Sequence, residues 1–359
     1  MINVTKPFLP PIEEYKAYID QIWERNWLTN NGPLVNEFEL KLKQLLDVDH
    51  LLYLTNGTIA LQIAIKAMNL KGEIITTPFS YIATTSSICW EGCTPVFVDI
   101  DEHTLNIDHN KIEAAITENT SAIIATHTYG NPCEINAIKA IADKHKLKVI
   151  YDAAHCFGTT YQGKSIYSFG DVSTASFHST KIFHTIEGGA VFTSDPELLK
   201  KMAYMRNFGH NGPDDFAEVG INGKNSEFHA AMGLVNLNYV QVNADNRQKQ
   251  HYRYNEWMKH IKVRTLQLTP GSSFNFSYYP VIFESHAALI KAVEMLNAHW
   301  IYPRRYFYPT LNNLKYVTKC AMPVCDEISL KVLCLPMYHS LGMEDVDFIC
   351  RLLLRSQNN

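Results

Sequence analysis

Three short segments carry residue types that could act on one another. The apolar run Lys148-Val149-Ile150-Tyr151 ends at Asp152. A carboxylate at a strand end could ligate a metal, cap the next helix or face a cation. The run Ser176-Phe177-His178-Ser179-Thr180-Lys181 leads to a lysine, and Glu187-Gly188-Gly189 follows it. Most lysines are solvated surface groups, but here Ala175-Ser176-Phe177-His178 and Gly188-Gly189-Ala190-Val191-Phe192 flank it with core-like sequence. A lysine amine becomes a useful nucleophile at neutral pH when it is partly desolvated or placed near positive charge, and paired glycines let backbone pass close to a ligand. The third segment, Asn56-Gly57-Thr58, lies between a strand-like run and a helix-like one. With Thr58 as the cap, the free N–H groups and dipole of that helix would favour a phosphate. Alone, such a segment is more often only a turn and a cap.

Taken together, a lysine, a strand-end carboxylate and a phosphate cradle are what pyridoxal phosphate (PLP) requires. Its pyridine nitrogen needs a facing carboxylate that keeps it protonated and the ring an effective electron sink.

The elements that must position these groups are legible as a pattern. Apolar, β-branched runs occur at Leu51 to Leu54, Glu73 to Thr77, Pro95 to Ile100, Ala122 to Thr126, Lys148 to Tyr151, Thr174 to Phe177 and Ala190 to Thr193. Helical patterns separate the first five: Thr58 to Met68, Ala83 to Trp90, Asn110 to Ile116 and Glu134 to His145. This alternation predicts an α/β fold, a mostly parallel sheet with helices on both faces. The last two runs are joined by Ser179 to Gly188, too short for a parallel crossover, which predicts a local antiparallel pair. In open α/β sheets ligands gather where strands end, and all three chemical segments lie at such ends.

Beyond Gly220 the texture changes. Ser226 to His260 lacks Pro, holds the single glycine Gly233, and reads as helix with one break. Strand-like runs at Val263 to Leu268 and Phe274 to Phe283 follow, then helices at Ala287 to Trp300 and around Asp345 to Leu354. We expect a large domain over residues 1–240, with an N-terminal arm, and a smaller α+β domain over 241–359.

Composition narrows the field. At 359 residues the chain exceeds one minimal core. No stretch reaches the roughly 18 to 20 apolar residues of a membrane helix, and Met1 to Pro7 lacks the pattern of a secretory signal. A net charge of −4 without a long basic run argues against nucleic acid as partner. The eight cysteines form no CxxC and no zinc-like spacing. Reduced thiols in a cytoplasmic protein are the expectation, with no metal site.

A resemblance then joins the segments. Asn56-Gly57-Thr58, Tyr81-Ile82-Ala83-Thr84, Asp152-Ala153-Ala154-His155, Ser176-Phe177-His178 with Lys181, and Glu187-Gly188-Gly189 occur in the order seen in the DegT/DnrJ/StrS family of sugar aminotransferases. So do Trp27-Leu28-Thr29, Gly32-Pro33, Gly220-Ile221-Asn222 and Arg304-Arg305-Tyr306-Phe307. The similarity runs from about residue 5 to about residue 350.

It implies the aspartate aminotransferase-type fold, with a seven-stranded mixed sheet, a small C-terminal domain and a homodimer. Lys181 would bond the cofactor and move the proton, Asp152 would pair with the pyridine nitrogen, and Tyr81 would stack on the ring. Gly57, Thr58 and Ser176 would hold the phosphate, Asn222 would reach it from the other subunit, and His155 would lie near the phenolic oxygen. His184 in the Lys181 loop could face substrate or serve loop packing. Lys224 stands where many relatives carry Arg. Arg304 and Arg305 could hold a pyrophosphate or form a solvated face. His178 could act in catalysis, or the alternating strand could bury it as a core or supporting histidine, and His127 and Tyr129 follow another strand end without a decided role.

A dehydrating branch of the family replaces the lysine by histidine or uses an iron–sulfur site, and neither suits this sequence. What remains is transamination from L-glutamate to a nucleotide-linked keto sugar. Lys6-Pro7-Phe8-Leu9-Pro10-Pro11, Trp27 to Pro33 and Phe183-His184-Thr185-Ile186-Glu187 resemble the branch that makes dTDP-4-amino-4,6-dideoxy-D-glucose from dTDP-4-keto-6-deoxy-D-glucose for surface polysaccharides such as O-antigen. The alternatives are amination at carbon 3 of a dTDP-3-keto-6-deoxy sugar, a UDP-linked sugar, or a non-catalytic PLP-binding regulator. The last would need a DNA-binding element such as a basic recognition helix, and none is seen.

Overall fold

The computed structural model describes residues 1–358. Seven strands form the main sheet: β1 His50–Leu54, β2 Glu73–Thr76, β3 Thr94–Phe97, β4 Thr120–Thr126, β5 Lys148–Asp152, β6 Val172–Ser176 and β7 Gly189–Thr193. Their spatial order is β1-β7-β6-β5-β4-β2-β3. All neighbours are parallel except β7, which runs antiparallel to both β1 and β6. The sheet is therefore mixed, and its antiparallel pair is the one joined by the Lys181 loop.

The strands alternate between two cores, as the period of two along a strand requires. Ile123, Ala125, Val149 and Tyr151 enter one, against α1 Ile12–Arg25, α2 Pro33–Leu46 and, later in the chain, Ala230, Ala231 and Leu234. Ala122, Ile124 and Ile150 enter the other, against α3 Gly57–Ala67 and Met202 and Met205. Burial on both faces explains why these strands read as continuous apolar runs rather than alternating ones. α4 Ile82–Trp90 and α6 Pro196–Arg206 complete this layer, while α5 Ile135–His145 buries Ile135, Ile138 and Ala142 in the first core. The expected helix at Asn110 to Ile116 is a single turn, His109–Ile112, followed by a 3-10 turn at Glu113–Ala115.

The free edge of β1 is closed by side chains. Glu39 on α2 accepts the Tyr53 N–H at 2.7 Å and holds Arg206 of α6 at 2.6 Å. Arg206 Nη1 also donates to the Tyr53 carbonyl at 3.1 Å, and Asn225 Nδ2 donates to the Leu54 carbonyl at 3.3 Å.

The long helix expected over 226–260 is two, α7 Glu227–Leu237 and α8 Val240–Met258, with the break at Asn238 and Tyr239. Glu227 is buried, and its carboxylate accepts the Leu34 and Val35 N–H groups at 2.8 and 3.0 Å. It thereby caps α2, whose own first residues, Gly32 and Pro33, supply no capping side chain. A β-carbon on Gly32 would lie 2.5 Å from this carboxyl carbon, so any larger residue there would have to displace the cap.

The far end of α8 packs with a second sheet, β8 Val263–Thr265, β9 Tyr279–Phe283 and β10 Val332–Leu335. Its core is covered by α9 His286–Ala298 and α11 Met343–Asn358, while α10 Pro323–Lys331 leads into β10. Residues 2–3 pair with Ile301 and Tyr302, tying the start of the chain to this part of the molecule. Among the described residues no helix is long and apolar enough to cross a membrane.

Candidate active site

The C-terminal ends of β4, β5 and β6 and the N-termini of α3 and α4 surround a cleft of about 460 Å³. Gly57, Thr58, Tyr81, Asp152, His155, Ser176 and Lys181 all line it. Seven residues read from sequence as chemical groups thus converge on one cavity.

One wall is the start of α3. Its cap is Asn56, not Thr58: Asn56 Oδ1 accepts the Ile59 N–H at 2.9 Å. An Asx side chain at this position reaches the third helical N–H, whereas Thr58 already lies inside the first turn. The Gly57 and Thr58 N–H groups, which precede the first intrahelical donor, the Ala60 N–H, therefore stay available beside Ser176. Close approach dictates the glycines. A β-carbon on Gly57 would lie 3.0 Å from Ser176 Cβ, and one on Gly189 would lie 2.4 Å from the Asn56 carbonyl carbon.

Asp152 forms the floor and is buried. Its Oδ2 accepts from Thr84 Oγ1 at 2.7 Å and its Oδ1 from the Ala154 N–H at 3.2 Å. A carboxylate offers about four lone-pair sites, so capacity remains for a further donor. Lys181 stands across the cleft, its N–H bonded back to the His178 carbonyl at 2.9 Å. Burial pulls its amine down to about 8, against the opposing pull of Asp152 and then Cys156.

His155 is buried, and its Nδ1 accepts the Tyr129 N–H at 3.3 Å. The proton of the neutral ring must then sit on Nε2. Burial first, and the Lys181 charge second, hold this histidine well below the usual range, so it is neutral. Its ring lies parallel to Phe307, centroids 5.8 Å apart, and edge-on to Tyr278 at 4.9 Å. Tyr81 immediately precedes α4 and is 61% exposed, a free aromatic face at the cleft.

A sequence model of the DegT/DnrJ/EryC1/StrS aminotransferase family matches residues 11–354. The chain belongs to this family. Among its DegT/DnrJ/EryC1/StrS relatives, a dTDP-4-amino-4,6-dideoxy-D-glucose transaminase of Shigella dysenteriae is 42% identical over 97% of both chains. One of the same name from Escherichia coli is 39% identical over 98% of both. The solved structure of DesI in the presence of its TDP-sugar product is 32% identical. It superposes with a TM-score of 0.93 over 99% of this chain and 92% of that one. Like other members of the family, the protein is a PLP-dependent aminotransferase of α/β class.

Other residues singled out from sequence lie outside the cleft lining. His184 is buried, held by the Phe8 carbonyl at 2.7 Å, the Ile186 N–H at 3.2 Å and Asn236, so it locks the N-terminal arm to the loop. Arg305 donates to the Ser329 carbonyl at 3.2 Å and stacks on Tyr308, and Arg304 is exposed beside β10. Lys224 lies over the Phe208 ring at 4.5 Å, and Asn222 is exposed. His127 is buried, stacked on Tyr151, and accepts the Cys133 N–H at 2.9 Å. Tyr129 is a buried packing residue whose hydroxyl donates to the Tyr306 carbonyl. His178, by contrast, lines the cleft, its Nδ1 pinned by Thr180 and its Nε2 3.5 Å from Glu187.

Tyr278 lines the cleft without a sequence signal of its own, and Tyr306 and Phe307 line it too, although their motif with Arg304 and Arg305 did not mark them as wall residues. Ser80 and Thr126 sit in the same cleft as Asp152; Ser80 lies in the loop just before α4 and Thr126 at the end of β4, so no helical spacing joins them to Thr84.

Proposed function

We propose that this aminotransferase moves the amino group of L-glutamate onto carbon 4 of dTDP-4-keto-6-deoxy-D-glucose, giving dTDP-4-amino-4,6-dideoxy-D-glucose. For the reaction type the carrying observation is the partly buried Lys181 facing Asp152 across one cleft. The substrate rests on the 42% identity, end to end, with a transaminase named for that product.

The residues present fit PLP. Asp152 has spare acceptor capacity for a pyridinium N–H, the α3 terminus with Ser176 and Thr58 offers donors for a phosphate, and His155 offers an Nε2–H to the phenolic oxygen. When bound, PLP supplies the electron sink that lets a proton leave the reacting carbon. Asp152 holds the negative charge that keeps the ring nitrogen protonated. Lys181 Nζ, partly a free base at neutral pH, takes the proton from the carbon of the amino donor and returns one to the sugar carbon. Tyr81 covers one face of the ring, and the Tyr278–His155–Phe307 cluster keeps water from the wall beside Lys181.

Support for a homodimer with shared sites is the exposed position of Asn222, outside its own chain's cleft lining. We place the domain division at about residue 240, where α8 starts. The eight free cysteines suit a reducing cytoplasm, and a surface polysaccharide such as O-antigen is the proposed destination of the product.

The test offers dTDP-linked 4-keto and 3-keto sugars in parallel, with glutamate, and identifies products by NMR. A 4-amino product supports the reading, while a 3-amino product or none refutes it.

A further inference from the structure

Asp152 is held by more than its own loop. Thr84 Oγ1 donates to Asp152 Oδ2 at 2.7 Å, Ser80 Oγ lies 2.8 Å from Thr84 Oγ1, and Thr126 Oγ1 donates to Ser80 Oγ at 3.0 Å. All four side chains are buried. They come from three places in the sheet: the loop after β2 and the first turn of α4, the end of β4, and the end of β5.

The direction of every hydrogen in this chain is determined. An ionised carboxylate only accepts, so the Thr84 proton points at Asp152. Ser80 must then donate to Thr84, and Thr126 to Ser80. Three hydroxyls aligned head to tail polarise one another, and the row ends on the carboxylate oxygen. A donor to the charged form of a carboxylate favours that form. The row also ties the carboxylate to the first turn of α4, which carries Tyr81 one residue after Ser80.

We propose that Thr126, Ser80 and Thr84 form a hydroxyl relay that orients the Asp152 carboxylate toward a bound pyridine nitrogen, with Thr84 as the positioning residue. The proposal rests on reading the cleft as a PLP site. No bond is made or broken in the relay. Its effect is on where the proton shared by Asp152 and the ring nitrogen resides, and on how tightly the cofactor is held.

The experiment strips the protein of cofactor and titrates it with pyridoxal phosphate, following fluorescence quenching. A second measurement uses cofactor labelled at the ring nitrogen, whose NMR shift reports protonation there. Thr84→Val keeps the shape and removes the donor. A bond to a charged group lost at this position corresponds to about tenfold weaker binding, with the ring-nitrogen signal moved toward the unprotonated value. Thr84→Ser should restore both.

If Thr84→Val binds within about twofold of wild type with an unmoved signal, the relay has no such role. The same holds if Thr84→Ser is as impaired as the valine variant, since the lost methyl would then be responsible. Should Thr84→Val not fold, Ser80→Ala decides, because Thr84 and Asp152 remain: weaker binding with a moved signal supports the relay, and no change in either overturns it. A wild-type protein that takes up no cofactor would instead overturn the PLP reading, a result distinct from an indifferent Thr84→Val.

Discussion

The lowered basicity of Lys181 has a quantitative consequence. An ordinary lysine amine at 10.5 is free base in about one molecule in 3,000 at pH 7, while one at about 8 is free in about one in ten. The cleft therefore raises the concentration of reactive amine by about 300-fold. Cofactor-free protein should capture pyridoxal phosphate at a rate that climbs with pH through about 8 and levels above it. Stopped-flow absorbance at several pH values measures this, with Lys181→Ala as the blank for the titration of the cofactor itself. The sign of a second change is also determined. Asp152 opposes the effect of burial by holding the amine's proton, so Asp152→Asn should move the inflection to lower pH. An inflection near 10.5, or one that rises in Asp152→Asn, would refute the claim that burial sets the reactivity of this lysine.

Two more expectations concern the assembly and the scaffold. If Asn222 serves the partner's site, Lys181→Ala and Asn222→Ala proteins, each inactive alone, should regain activity on mixing and reassociation. Half the dimers would be mixed and each would hold one intact site, so about a quarter of wild-type activity is expected; no gain would show that Asn222 acts in its own chain, and an active Asn222→Ala protein that it has no role. Glu227→Ala removes two charge-assisted bonds from the α2 terminus and should cost about 3 kcal/mol, with Glu227→Gln losing less. Urea unfolding of the cofactor-free protein checks this, and a loss below about 0.5 kcal/mol would mean that water or a neighbour replaces the cap.

The sheet was readable because its strands are buried on both faces and so print as apolar runs. The same signal located Asp152 and Ser176, which sit where those runs stop. Lys181 stood out because its flanks are core sequence. Elsewhere, proximity along the chain left two roles open. His184 is three residues from Lys181, yet the loop turns it toward Phe8, because its neighbours Phe183 and Thr185 are themselves buried. Arg305 sits in a motif segment but is spent on Ser329 and Tyr308. α1 and α2 went unread since their apolar stripes are interrupted by charges on the solvent face, as at Glu13, Glu14 and Lys16. β10 went unread as a strand because four residues, Val332 to Leu335, cannot be told from a buried helix segment by periodicity. The hydroxyls around Asp152 were invisible as a group, for Ser80, Thr84 and Thr126 are joined only by the fold.

The closed edge of β1 bears on how this protein keeps to itself. An outermost strand with unpaired N–H and C=O groups is a template for any extended peptide, including a second copy unfolding nearby. Here Tyr53 is engaged on both its backbone groups by Glu39 and Arg206, side chains drawn from two different helices. A chain from which either helix has peeled away exposes that template before the rest of the sheet opens. The Glu39–Arg206 ion pair thus guards a strand edge that would otherwise invite such pairing.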